Sequence, residues 1–128
     1  MPRQPSKSFT DKEIEIMQVI WKMGEATVKQ IQEQLPGRRH YNSVLTIVRV
    51  LERKGHLVHR EEGRTFIYHA KESQERARRK VLSHLVKQVF GGSASSLVLH
   101  LVETGDLTEA DLVEIRKQMN RDQKHKKE

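Results

Sequence analysis

Residues 42–69 read Asn42-Ser43-Val44-Leu45-Thr46-Ile47-Val48-Arg49-Val50-Leu51-Glu52-Arg53-Lys54-Gly55-His56-Leu57-Val58-His59-Arg60-Glu61-Glu62-Gly63-Arg64-Thr65-Phe66-Ile67-Tyr68-His69, and within them the apolar period changes. Val44, Ile47, Val48 and Leu51 share one helical face, which predicts a helix from about Asn42 to Lys54 that Gly55 ends. Leu57 to Arg60 and Thr65 to His69 are instead rich in β-formers. They flank Glu61-Glu62-Gly63-Arg64, where glycine permits a positive φ, and so predict a hairpin.

Upstream, Phe9-Thr10-Asp11-Lys12-Glu13-Ile14 carries the signs of a helix start: Thr10 to cap the first amides, Glu13 to bond back, Phe9 to pack on Ile14. Ile14, Met17, Ile20 and Trp21 follow at helical spacing as far as Gly24. Thr27 with Gln30 opens a short second helix with Val28, Ile31 and Leu35 on its buried side, and Pro36-Gly37 stops it. Three helices and a hairpin within about 60 residues is the order of a winged helix-turn-helix, a small DNA-reading domain. Its expected limits are 9–72. Residues 1–8, with two prolines and no apolar period, read as a disordered arm.

Downstream, Ser73 is an expected cap, and Ala77, Val81, Leu82, Leu85, Val89 and Phe90 mark a long helix that Gly91-Gly92 terminates. Ser93 restarts the chain into a short apolar helix, Leu97 to Val102, before Gly105. Leu107-Thr108 with Asp111-Leu112 repeats the cap-and-staple pattern, with Asp in place of Glu, ahead of Leu112, Ile115 and Met119. Three short amphipathic helices with no sheet or fourth neighbour expose more apolar surface than a monomer leaves in water. Residues 73–120 are therefore expected to form a three-helix dimerisation domain whose interface holds Leu82, Leu85, Val89, Phe90, Leu97, Leu101, Leu112 and Ile115. Residues 121–128 read as a charged, solvated tail. The fold class expected is mainly α with a small β-hairpin.

The 128 residues carry a formal charge of +7, which favours a polyanionic partner. That excess is local: residues 1–37 hold five basic and five acidic side chains, whereas residues 38–64 hold seven and three. The absence of cysteine removes disulfides, thiolate metal sites and cysteine nucleophiles together. No apolar run is long enough to span a bilayer and the start lacks a secretory signal, so the expected location is the cytoplasm.

On the third predicted helix the side opposite the apolar face carries Asn42, Ser43, Thr46, Arg49 and Arg53. Arginine can fork onto guanine, asparagine onto adenine, and Ser or Thr can bond a base edge or pack on the thymine methyl. These five are the candidate base readers. Arg38, Arg39, Tyr41, Lys54, Arg60 and Arg64 surround them and are the candidate contacts to the phosphate backbone, with Arg60 and Arg64 expected together near the hairpin tip. Glu61 and Glu62 are expected to face away from DNA.

In these residues the chain resembles the penicillinase-repressor family of bacterial winged-helix regulators, which also includes copper-responsive repressors. The resemblance runs from Phe9 to Met119. It is carried by Thr10-Asp11-Lys12-Glu13 to Ile20-Trp21, Ser43-Val44-Leu45-Thr46 with Leu51-Glu52-Arg53-Lys54-Gly55, Gly63-Arg64 with Tyr68, Phe90-Gly91-Gly92-Ser93, and Leu97-Val98-Leu99. It implies a dimer, paired through the C-terminal helices, on a palindromic operator commonly built around TACA and TGTA half-sites. It further implies repression of genes for antibiotic resistance or metal handling. In antibiotic-responsive members a membrane sensor's signal leads to cleavage at an Asn-Phe bond; here the matching pair is His100-Leu101. The copper-responsive members use C-terminal cysteine pairs, which this chain lacks, and Val50 stands where many relatives place arginine.

Other readings fare worse. Of the seven histidines, His56, His59 and His69 surround the hairpin and His84 and His100 lie in the expected dimer region, but none forms a ligand pair on one helix face beside a carboxylate. No metal or cofactor is expected. A buried interface histidine, His84 or His100, would loosen the dimer on protonation. There is no phosphate-cradling glycine loop and no carboxylate pair at a recognisable spacing, so catalysis is not expected. The alternative is a winged-helix interaction module or co-regulator without operator specificity of its own.

Overall fold

The structure, a computed structural model, describes residues 9–127; the expected arm, 1–8, lies outside them. Residues 9–81 belong to one compact unit and residues 82–127 to a second. The division falls nine residues later than the expected boundary, inside a helix.

In the first unit α1 (Asp11–Met23) starts at the expected capping box: the Thr10 amide donates to Glu13 Oε1 at 2.8 Å and the Glu13 amide to Thr10 Oγ1 at 3.2 Å. A second box, Thr27 with Gln30, opens α2 (Val28–Gln34). Between the two helices lies β1 (Glu25–Ala26), which the sequence reading missed because two residues carry no period. Next come α3 (Tyr41–Arg53), then β2 (Leu57–Glu62) and β3 (Thr65–Ala70), which turn at Gly63 with φ +62°. The strands are antiparallel in the order β1-β3-β2, with Arg60 opposite Ile67 and Ala26 opposite Tyr68. The hairpin strands run longer than predicted, because ladder pairing recruits Glu61, Glu62 and Ala70, residues with little strand preference of their own.

The unit's core joins Met17 and Ile20 of α1, Val28 and Ile31 of α2, Leu35 just beyond it, Val44, Val48 and Leu51 of α3, and Ala26, Leu57 and Tyr68 of the sheet. Ile16 is also buried, although its neighbours Ile14 and Trp21, read as core, are only partly so. The Trp21 indole N–H donates to the Glu72 carbonyl at 3.0 Å, tying α1 to the segment that leaves β3. This is a winged helix-turn-helix in which a short third strand backs the wing.

Helix α4 (Gln74–Val89) begins at Ser73, whose Oγ accepts from the Arg76 amide at 3.2 Å. In the second unit follow α5 (Ala94–Glu103), capped by Ser93, and α6 (Glu109–Lys127), which opens with the expected Thr108–Asp111 box. Helix α6 corrects one expectation: residues 121–127, read as a tail, continue the helix, as suits a stretch rich in Arg, Gln and Lys. No residue from 82 to 124 is buried. Val89 is 65 % exposed, Leu99 58 % and Leu82 52 %.

Candidate nucleic-acid interface

Helix α3 is fixed by its buried side. At about 100° per residue, Val44, Val48 and Leu51 cluster on one side, and Asn42, Thr46, Arg49 and Arg53 form a stripe opposite them within about 60°. All four are exposed, as is Ser43 on the flank of the stripe. The Thr46 hydroxyl donates to the Asn42 carbonyl at 2.8 Å. Its proton is therefore committed, which leaves an acceptor lone pair and the methyl group for an outside contact. Among the described residues neither Arg49 nor Arg53 enters an ion pair.

The surrounding basic residues divide. Arg38, Tyr41 and Arg64 are exposed, and none of them forms a side-chain hydrogen bond or ion pair among the described residues. Arg39 instead holds the loop ahead of α3: its guanidinium donates to Glu15 at 2.7 Å and its carbonyl accepts from Gln32 Nε2 at 2.7 Å. Lys54, read as a phosphate contact, is corrected. Its ammonium lies 2.8 Å from Glu13 Oε1, with the two side chains 6 % and 4 % exposed, so this charge ties the end of α3 to the start of α1. Burial pushes the Glu13 carboxyl up, but the Lys54 ammonium and the Thr10 amide and hydroxyl outweigh it and hold the group below the usual carboxylate range.

Arg60 has internal partners too. Strand alternation turns Val58, Arg60 and Glu62 onto the face of the sheet opposite Leu57 and Tyr68, which face the core. There Arg60 forks onto Glu25 of β1 at 2.5 and 3.0 Å and reaches Glu62 at 3.3 Å. The guanidinium lowers the Glu25 carboxyl, and the carboxylates raise Arg60 in turn. Arg60 is thus engaged with Glu25 and Glu62 on the outer face of the sheet. Glu62 shares that outer face, while Glu61, opposite Phe66, alternates to the other.

Sequence reasoning also missed a cluster between α3 and the wing. His59 Nδ1 bonds Glu52 Oε2, and the His59 ring stacks on Phe66 with centroids 4.3 Å apart and an interplanar angle of 15°. Tyr68 lies beneath, its hydroxyl raised by burial and then by the Glu52 charge. The alternation of His59 and Phe66 toward one face was available as a signal; the link to Glu52 required the fold.

In the second unit, Leu82, Leu85, Val89, Leu112 and Ile115 are exposed, whereas Phe90, Leu97 and Leu101 are half-buried. The Phe90 ring meets His100 at 6.0 Å. Among the described residues no group of three or more His, Asp or Glu is placed to hold a metal ion, and no single helix is long and apolar enough to cross a membrane.

The sequence model of the family described as "Penicillinase repressor" matches residues 9–121. The chain belongs to the penicillinase repressor family. This is a family of transcriptional repressors and not of enzymes. Similar members include the penicillinase repressor of Bacillus licheniformis, 28 % identical over 123 residues, covering 94 % of this chain and 95 % of that one. The methicillin resistance regulatory protein MecI of Mammaliicoccus sciuri is 26 % identical over 111 residues, or 85 % and 90 % of the two chains. Among solved structures, the DNA-binding domain of the repressor BlaI matches with a TM-score of 0.50 at 27 % identity, covering 56 % of this penicillinase-repressor chain and 90 % of that one. A crystal structure described as a possible transcriptional regulator for arsenical resistance matches in fold, with a TM-score of 0.53 at 19 % identity over 77 % and 88 % of the chains.

Proposed function

We propose that this repressor is a cytoplasmic homodimer that reads a palindromic operator of resistance, stress or metal-handling genes in double-stranded DNA. Each protomer lays α3 in the major groove, with Asn42, Ser43, Thr46, Arg49 and Arg53 toward the bases and Arg38, Tyr41 and Arg64 on phosphates. The observation that carries the reading is the exposed stripe on α3, directly opposite the side that the core holds. The second unit supports two-fold pairing, since its helices carry apolar side chains and no residue from 82 to 124 is buried. Its winged-helix domain is taken as 9–72 and its dimerisation domain as 73–120. A membrane sensor or protease remains the class of releasing partner the family suggests, acting elsewhere than at a bond where His100 and Leu101 replace Asn and Phe.

The test is a footprint on the gene's own promoter, paired with a gel shift against random duplex. Two protected half-sites spaced by about one helical turn are expected. Equal competition by random duplex at physiological salt would assign the chain to the interaction modules instead.

A further inference from the structure

We infer that His59 is a positioning residue for the DNA-reading surface: by holding the Glu52 carboxylate it keeps Arg49 out of an ion pair within its own helix and fixes the wing against α3. The inference rests on the function proposed above and names residues that set how that site works.

On α3, Glu52 follows Arg49 by three residues, a spacing at which opposite charges on one helix face pair readily. The structure gives Glu52 a different partner. Its Oε2 is bonded by His59 Nδ1, and Arg49 makes no ion pair among the described residues. The His59 ring is held in turn, stacked on Phe66 at 4.3 Å and tilted against Tyr68 at 5.4 Å. Phe66 and Tyr68 are alternate residues of β3, so both project to the face that packs toward α3, and Tyr68 is anchored in the core. His59 is thus braced by rings on one side and closed onto α3 by a carboxylate on the other.

Two effects follow for a surface that must meet DNA. A carboxylate beside the reading stripe repels phosphate and competes for the guanidinium of Arg49; drawn against the hairpin, it does less of both. The same bond also joins the element that reads bases to the element that carries Arg64, so that their spacing is set before DNA arrives. Pre-set spacing lowers the ordering cost of binding.

The test measures wild type, His59→Ala, His59→Gln and the double variant His59→Ala with Glu52→Gln on operator and random duplex, with thermal unfolding followed for each. His59→Ala is expected to weaken operator binding roughly five- to tenfold and random duplex much less, the low end of what one arginine–guanine fork discriminates. Adding Glu52→Gln removes the competing carboxylate and restores most of the preference. His59→Gln, which keeps a donor, retains it. If His59→Ala weakens both duplexes alike, in step with a lower Tm, and Glu52→Gln restores nothing, His59 merely packs and the inference fails. A wild-type protein with no operator preference overturns the proposed function as well, an outcome recognisable without any variant.

Discussion

Lys54 has a task its sequence setting conceals. It ends a basic helix beside Arg53, among residues that read as phosphate contacts, yet its ammonium sits almost wholly buried on Glu13. Taking away one partner of such a pair leaves the other charge uncompensated, which costs about 3–5 kcal/mol. Lys54→Ala is expected to lower the unfolding free energy by that order in denaturant titration, with the salt dependence of DNA binding retained. A loss under about 1 kcal/mol with a flatter salt slope would return Lys54 to the DNA backbone. The pair also has an acid signature. Because the folded Glu13 carboxyl titrates below its ordinary 4.5, its contribution is complete above that value and is lost as pH falls through the lower folded value. Wild type should therefore lose more stability than Glu13→Gln between about pH 5.5 and pH 3, and parallel melting curves would remove the assignment. Glu13 shows where sequence reading stops. Its bond to Thr10 spans three residues and is written in the capping pattern, whereas its bond to Lys54 spans 41 and exists only once α1 and α3 have packed.

Elements were legible where their signals are local. Capping boxes at Thr10, Thr27 and Thr108 start three helices as expected, and the apolar stripe of α3 becomes its buried side. What escaped was decided by neighbours: β1 exists because β3 pairs with it, and that pairing puts Glu25 within reach of Arg60. With Arg60 engaged by Glu25, helix and wing turn are left with separable tasks. In the proposed complex Arg49 lies in the base-reading stripe and Arg64 at the exposed wing turn. Arg49→Ala is expected to reduce discrimination between operator and mismatched sites, by about 1–3 kcal/mol at one base pair. Arg64→Ala should instead weaken all duplexes alike and reduce the salt slope by about one. Competition binding over single-base operator variants at several salt concentrations separates the two. Even loss from both substitutions would make α3 a backbone-binding helix.

At the scale of the molecule, the two units differ in what they bury. The first closes a core of aliphatic side chains around Tyr68; the second buries no residue from 82 to 124. Helices that leave Leu82, Leu85, Val89, Leu99, Leu112 and Ile115 exposed gain little from the hydrophobic effect until something else covers them, and a second copy presents the same surface in return. The palindromic operator proposed above would call for that arrangement, because each half-site alone would supply only part of the binding free energy. The apolar positions on α4 and α6 were readable from their spacing, and their exposure from the lack of a sheet or fourth helix to cover them; how far each side chain is exposed required the fold. Leu85→Asp tests the pairing. Leu85 is 39 % exposed and lies outside the reader's core, so the substitution leaves α3 and the wing folded while placing a carboxylate in the proposed seam. Sedimentation should then give the mass of a single chain. Operator affinity should fall about a hundredfold or more as the two half-sites lose their mutual effective concentration, with binding to an isolated half-site little changed. A Leu85→Asp protein that still sediments as a dimer and holds its operator as tightly as wild type would move the contact off this face of α4.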